Sequence, residues 1–265
     1  MNDDEAVLLE IDDGVATITL DRPDERNALS RAVADGLRDA LDEVDGSDAR
    51  CVVLEGAGGT FSAGGDIEAM VEGIKGDMPV EERVRVVERA YNRTIQRLAE
   101  FPLPTVALVD GPAIGAGASL AIACDLQLAS ERASIGFSFR AVGLSVDSGT
   151  SYLLPRLVGE NVAKELVFTG EIVDAERAAE LGLVNHVYPA EEFDERAAEL
   201  VDEVASGPTV ALRHAKRLLG RGLEQSLSAA LADEAAAQAS AFDTADHVEG
   251  VEAFFEGREP EFEGR

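Results

Sequence analysis

Two stretches constrain the fold more than any others: LEGAGGTFSAGGDIEAMV, residues 54–71, and VALVDGPAIGAGASLAIACD, residues 106–125. Each runs from an apolar strand through small residues into a helix. Glycine and alanine let backbone N–H groups approach a ligand closely, and a helix N-terminus adds unpaired donors and a positive dipole end. Both loops are therefore built to hold something negative. Phosphate fits poorly, because neither loop ends in the Lys-Ser/Thr pair of a nucleotide P-loop. GAGASL, residues 115–120, begins like a dinucleotide fingerprint but has Leu120 where the third glycine belongs, and GPAI separates it from the strand VALVD. The other candidate is a carbonyl oxygen that becomes an anion during reaction. Two backbone donors converging on it would form an oxyanion hole, each worth about 3 kcal/mol of barrier.

The alternation of strand and helix continues along the chain. VLLEIDDGVATITLD reads as a hairpin turning at Asp12, Asp13 and Gly14. The next helix has Ser30 as N-cap and Val33, Leu37, Leu41 and Val44 on one face. CVVLEG, TVALVDG, DLQLAS, ASIGFS and LVNHVYP read as short strands. Val84, Val87, Tyr91, Ile95 and Leu98 predict a helix over 80–99, which the prolines of FPLP close. From residue 191 the chain turns helical, with Phe193, Ala197, Leu200, Val201 and Val204 in one stripe and an alanine-rich stretch from Leu223 to Ala241. No fixed repeat length marks a solenoid. The expected organisation is an α/β body over residues 1–195 and a helical C-terminal region over 196–265 that suits a partner surface.

With 265 residues, 46% of them hydrophobic, the chain can bury a sizeable core. No window is long and apolar enough for a membrane span, and MNDDEAVLLE is acidic where a signal peptide would be basic, so a soluble cytoplasmic protein is expected. Cys51 and Cys124 stand in apolar runs and read as buried thiols. A formal charge of −29, from 52 acids against 23 bases, repels nucleic acid and anionic membranes and argues against both as partners. The acids sit on patterned helices, and the balance looks like that of proteins from salt-loving organisms, where salt screens self-repulsion. His186, His214 and His247 show no ligand spacing, and no metal site is expected.

RPDERNALS, FSAGGDI, GPAIGAGASLAIACDL, LPRLVG, ELVFTGEIVDAERAAELGLVNHV and EGVEAFFEGREPEF follow one another in an order that resembles the crotonase superfamily, the enoyl-CoA hydratases and isomerases. The resemblance runs almost end to end. It implies an α/β fold, a spiral of ββα units with a C-terminal helical region that assembles trimers, often paired into hexamers. It also implies an acyl-CoA thioester as substrate, with no separate cofactor. The N–H groups of Gly65 and Ala116 then fall on the two oxyanion donors. The carbonyl of Ala63 falls where the adenine is read, and Arg26 and the backbone near Ala28 lie along the CoA nucleotide. Asp66 and Ile67 begin the helix after the first loop, with Asp66 also readable as a helix cap. Phe254 and Arg258 match CoA contacts, which some members take from a neighbouring subunit.

Two glutamates flank the water in the family's hydratases, and here those positions are Ser119 and Phe139. Neither can act as a carboxylate base, so efficient hydration is not expected. GLSVDSGTSYLLPR instead places Asp147 where family members that shift double bonds carry a single acid, although Val146 stands where many have proline. In isolation, Asp147 reads as a turn residue. Val142, Leu144, Val146, Phe137 and Phe139 would raise its affinity for a proton if they surround it. Within the family the likeness is nearest to the isomerases of epoxyphenylacetyl-CoA in phenylacetate breakdown, with Δ3-Δ2 enoyl-CoA isomerases next. An enoyl-CoA isomerase is therefore expected, the alternatives being a hydratase or a non-catalytic acyl-CoA-binding subunit. The acyl pocket is expected to involve residues 70–95 and 137–152.

Overall fold

The central strands are buried on both faces, and successive side chains sort into two apolar layers. The structure is a computed structural model that describes residues 6–76 and 79–265. The start of the acidic N-terminal segment, and Asp77 and Met78 of the stretch expected to border the acyl pocket, lie outside the described residues. The strands are β1 (Val7–Asp12), β2 (Val15–Leu20), β3 (Cys51–Gly56), β4 (Thr105–Val109), β5 (Pro112–Ile114), β6 (Leu126–Ser130), β7 (Ser134–Gly136), β8 (Ile172–Asp174) and β9 (His186–Tyr188). The first six helices are α1 (Arg31–Asp45), α2 (Ile67–Lys75), α3 (Val80–Val86), α4 (Arg93–Ala99), α5 (Ala116–Ala123) and α6 (Thr150–Val158). They are followed by α7 (Glu160–Thr169), α8 (Ala175–Leu181), α9 (Phe193–Ala205), α10 (Thr209–Gly222), α11 (Leu227–Phe242) and α12 (Ala245–Glu256).

A six-stranded sheet runs in the order β1-β2-β3-β4-β6-β9, antiparallel at the β1–β2 hairpin and parallel from β2 onward. The hairpin turns on Asp13 and Gly14, both with positive φ, as a two-residue turn between right-twisted strands requires. Val52 and Leu54 of β3, Ala107 and Val109 of β4 and Ala129 of β6 face the core that α1 closes with Val33, Leu37, Leu41 and Val44. Cys51, Val53, Val106 and Leu128 face the other side, where Phe193, Ala197 and Val201 of α9 cover them. Parallel strands buried on both faces read as unbroken apolar runs, which is why CVVL and TVALV are legible. Burial pushes the Cys51 thiol up to about 12 and raises the Cys124 thiol as well, so neither is reactive near neutrality.

A second sheet, β5-β7-β8, stands beside the first. Single bridges extend it: Ser62 pairs with Ala113 of β5, and Leu29 pairs with Gly65. The chain thus repeats one pattern. After β3, β4 and β6 in the large sheet, a short extended piece joins the second layer, and the chain then returns through helix and loop. This is the expected spiral of ββα turns. GPAI, which reads as loop, contributes β5, and β8 has no sequence signal of its own. Each is three residues long and held by its neighbours rather than by local propensity.

The helix expected over 80–99 is α3 and α4 joined by a π-type turn at Val87–Asn92. Arg38 explains the turn, since its guanidinium takes the Ala90 carbonyl at 2.9 Å and the Thr94 hydroxyl at 2.8 Å. Only the later part of the stripe is covered: Ile95 and Leu98 are buried and Val87 and Tyr91 half-buried, while Val84 is exposed. The expected division at residue 195 falls inside α9, which packs wholly on the sheet. Beyond it, Lys216 pins α10 to the body through Asp125 at 2.6 Å and the Leu103 carbonyl at 2.9 Å. The alanine-rich helix α11 is exposed but for buried Ala237 and half-buried Ala230 and Ala241. Among the described residues no helix is long and apolar enough to cross a membrane.

Candidate active site

Asn27 organises the first glycine loop. It is fully buried, and its side-chain amide donates to the carbonyls of Ala57 at 2.8 Å and Thr60 at 2.6 Å. Its side-chain oxygen accepts from Arg22 N–H at 2.9 Å, and its own carbonyl accepts the Ser62 hydroxyl at 2.7 Å. Arg26 and Asn27 both have φ near +50°, a left-handed pair that turns the segment back on the loop. Ala63 N–H then reaches Arg26 carbonyl at 2.9 Å, and Leu29 N–H reaches Gly64 carbonyl at 2.7 Å. On its other side the loop is paired to β5, with Ser62 N–H to Pro112 carbonyl at 3.1 Å and Ile114 N–H to Ser62 carbonyl at 2.9 Å.

The two glycine loops therefore touch backbone to backbone, and two glycines permit it. A Cβ on Gly64 would stand 2.5 Å from the Ile114 carbonyl and 3.4 Å from the Ala116 nitrogen. A Cβ on Gly117 would stand 2.3 Å from the Ser62 carbonyl. Among the described residues, the N–H groups of Gly65 and Ala116 donate to no acceptor. Ala116 opens α5, so its donor also carries the positive end of that helix. Two free amides on contacting segments are the elements of an anion site.

Asp147 ends the extended stretch before α6. Its Oδ1 is buried and, among the described residues, is the single buried side-chain N or O atom without a hydrogen-bond partner. Burial pushes its carboxyl above the ordinary carboxylate range, and contact with Ser148 works in the opposite direction. Of the residues expected to surround it, Phe137 and Phe139 are buried and Val146 packs on the core, but Val142 and Leu144 are exposed. Asp147 also borders an open groove of about 1370 Å³ between α4, α6 and α10, which neither Gly65 nor Ala116 lines. Its connection to the loops runs through other groups. Its carbonyl accepts the Thr150 hydroxyl at 2.8 Å, and Thr150 meets the Ser119 hydroxyl of α5 at 2.7 Å. Burial raises the phenol of Tyr91, from the π-type turn, and the charges of Asp66 and Asp147 add to it.

The other expected contacts separate into two groups. Arg26 is exposed beside the first loop, Ala28 is half-buried next to it, and the Ala63 carbonyl accepts no donor among the described residues. Asp66 caps α2, accepting Ala69 N–H at 3.0 Å, and Ile67 is exposed as the first residue of that helix. Phe254 and Arg258 lie at the far end of the chain. Phe254 is 82% exposed on α12, edge-on to Phe255, so it is not core. Arg258 is paired with Glu249 at 2.5 Å and Glu256 at 2.7 Å, and a CoA phosphate would have to compete with both.

Asn27, Thr150 and Tyr91 carry no role in the sequence reading. Asn27 lies in the RPDERNALS motif, where an asparagine in a left-handed turn is a usable signal; the other two are recognisable only by what they face. Among the described residues no group of His, Cys, Asp and Glu is placed to hold a metal ion.

The mixed α/β fold, with its helical C-terminal region, is shared with a solved enoyl-CoA hydratase of Bacillus anthracis at a TM-score of 0.91, with 32% identity over 98% of this chain and 100% of that one. The family described as enoyl-CoA hydratase/isomerase matches residues 10–265. A Thermus thermophilus protein carrying the name enoyl-CoA hydratase is 41% identical across 94% of this chain and 97% of its own. The 1,2-epoxyphenylacetyl-CoA isomerase of Escherichia coli K12 is 34% identical across 98% and 99%. This chain belongs to the enoyl-CoA hydratase/isomerase family, the crotonase superfamily, and is an acyl-CoA enzyme.

Proposed function

We propose that this enzyme isomerises the double bond of an enoyl-CoA, with Asp147 as its one acid/base and the N–H groups of Gly65 and Ala116 holding the thioester oxygen. In a 3-enoyl thioester, Asp147 takes a proton from C2, and the electron pair moves onto the carbonyl oxygen. Two preset amides stabilise that oxyanion without reorganising, which is where most of the rate enhancement would arise. The protonated Asp147 then delivers its proton to C4, the C2–C3 double bond forms and the carbonyl is restored. One carboxyl on one face suffices for both transfers. The bound CoA thioester is substrate, and the scheme needs no further cofactor. Arg26, Ala28, Ala63, Asp66 and Ile67 border the first loop and are the proposed CoA-facing set.

The observation that carries this reading is the unpartnered, buried oxygen of Asp147 beside a turn tied to α5. A carboxyl with raised proton affinity suits a shuttle better than a solvated one, because an ordinary aspartate titrates near pH ~3.9. The hydratase glutamate positions support it too. Ser119 is fully buried and engaged with Thr150, and Phe139 is buried and apolar, so neither holds water for addition.

The test is exchange of solvent deuterium into C2 and C4 of a 3-enoyl-CoA, followed alongside isomer formation. Wild type is expected to show both, and Asp147→Asn is expected to lose about 10²- to 10⁴-fold in kcat, the usual worth of a positioned acid/base, with thioester binding retained. Full activity in that variant would refute the assignment. Relatives named as hydratases favour water addition as a second reading, and 3-hydroxyacyl product from a 2-enoyl-CoA would support it. A purely acyl-CoA-binding role predicts no exchange at either carbon.

A homotrimer or dimer of trimers is proposed from the apolar residues α10–α12 leave exposed, among them Leu219, Leu223, Leu227, Phe254 and Phe255. A solution mass equal to a single chain would overturn it.

A further inference from the structure

Ser119 and Thr150 are buried hydroxyls 31 residues apart in sequence, with their oxygens 2.7 Å apart. The carbonyl of Asp147 accepts the Thr150 hydroxyl at 2.8 Å and the Gly115 carbonyl accepts the Ser119 hydroxyl at 3.2 Å, and either hydroxyl can donate across the 2.7 Å between them. Backbone donors reinforce both ends, with Thr150 N–H on the Asp147 carbonyl at 2.9 Å and Ser119 N–H on the Gly115 carbonyl at 3.1 Å.

Each end of this relay is a peptide group next to a proposed reactive group. The Gly115 carbonyl and the Ala116 N–H belong to one planar peptide, so fixing the first aims the second. The Asp147 carbonyl fixes the backbone from which the carboxylate springs. Both anchor points are unusual in conformation: Gly115 has φ 56° and ψ −121°, while Ser148 and Gly149 after the carboxylate have φ 50° and 77°. Such backbone persists where its surroundings over-determine it, and here the hydroxyl pair is part of those surroundings.

We infer that Ser119 and Thr150 are positioning residues that hold the Asp147 carboxylate and the Ala116 N–H in one fixed relation, an inference resting on the isomerase reading above. They are too buried to meet substrate. Ser119 stands where a hydratase of the family would place a glutamate, and the part of the hydroxyl pair is to couple the acid/base turn to the oxyanion donor. A misplacement of about 1 Å costs up to ~10²-fold in rate, so the effect belongs in kcat and not in CoA binding.

Thr150→Val keeps the side-chain shape and removes the hydroxyl, and Thr150→Ser gives the hydroxyl back. The valine variant is expected to lower kcat about tenfold or more, with KM held within about twofold. The acidic limb of its kcat–pH profile moves to lower pH, because a loosened turn admits water to Asp147. The serine variant restores both. Ser119→Ala shifts both in the same direction but less, since Thr150 keeps its bond to Asp147. A folded valine variant with wild-type kcat and pH profile overturns the proposal. So does a lost kcat that comes with a lowered Tm, an unmoved acidic limb and no recovery in the serine variant, which is the pattern of simple packing. Full activity in Asp147→Asn sinks the isomerase reading and this one with it, whereas an inert Asp147→Asn beside an unaffected Thr150→Val sinks the coupling alone.

Discussion

The carboxyl of Asp147 opposes its own ionisation in the folded state. Burial raises its folded pKa above the unfolded value, so the folded form binds the proton more tightly. Stability from this group is therefore fully present below the unfolded value, near pH ~3.9, and is lost as pH rises through the folded one. At neutral pH the buried charge is a net cost. Asp147→Asn, which the proposed mechanism makes poor in catalysis, is expected to raise Tm at pH 7 by a few degrees, and the gain should vanish below about pH 4. Thermal melts across pH check this, and an unchanged or lower Tm at pH 7 would mean that the carboxylate is well solvated. Under the proposed mechanism function and stability conflict at this residue, a common arrangement for a group kept ready to change protonation.

At the scale of elements, α12 is fastened by the tail that follows it. Glu249 accepts from Arg258 at 2.5 Å and 2.9 Å and from the N–H of Glu261 at 2.8 Å. These bonds hold its carboxyl down at about 2, the Arg258 guanidinium being the main cause. Asp246 of the same helix accepts N–H groups of Glu263 and Gly264, so the tail is held at two successive turns. A depressed carboxyl contributes stability above its unfolded value, near pH ~4.3, and loses it as pH falls toward the folded one. Acid should therefore release the tail early, and Glu249→Gln should release it at neutral pH. Amide exchange of residues 258–265 is the measurement; exchange in Glu249→Gln as slow as in wild type would show that Asp246 alone secures the tail.

Across the whole molecule the dominant quantity is the charge of −29. Ion pairs such as Arg97 with Asp42 and Asp45, or Arg132 with Asp110, relieve it locally, but exposed pairs are each worth at most about 1 kcal/mol. With 52 acids and 23 bases, most carboxylates have no basic partner to meet. Raising KCl shortens the screening length from about 10 Å at 0.1 M to about 3 Å at 1 M, which removes repulsion between neighbouring exposed carboxylates. The Tm is accordingly expected to climb with KCl over this range. A fall would mean that the ion pairs outweigh the repulsion.

The sequence by itself determined the strands other than β5 and β8, the cap at Ser30 and the two glycine loops, because each depends on residues adjacent in the chain. Alternation and apolar runs place β3, β4 and β6. Ser30 caps α1 through Val33 N–H within its own turn, and glycine alone tolerates the close approach at Gly64 and Gly117. The resemblance of six ordered motifs added the family and the residues to inspect. Only the tertiary structure decided how those residues cooperate. Nothing near Thr150 in sequence marks it as the link from Asp147 to Ser119, and Asn27 finds its partners at Ala57 and Thr60, some thirty residues away. Tyr91, within reach of the charges of Asp66 and Asp147, stands in a π-type turn whose Ala90 carbonyl is held by Arg38 from another helix. Local chemistry selects elements through backbone geometry and periodicity; the active arrangement arises from hydrogen bonds between elements, which a linear chain records only at their two distant ends.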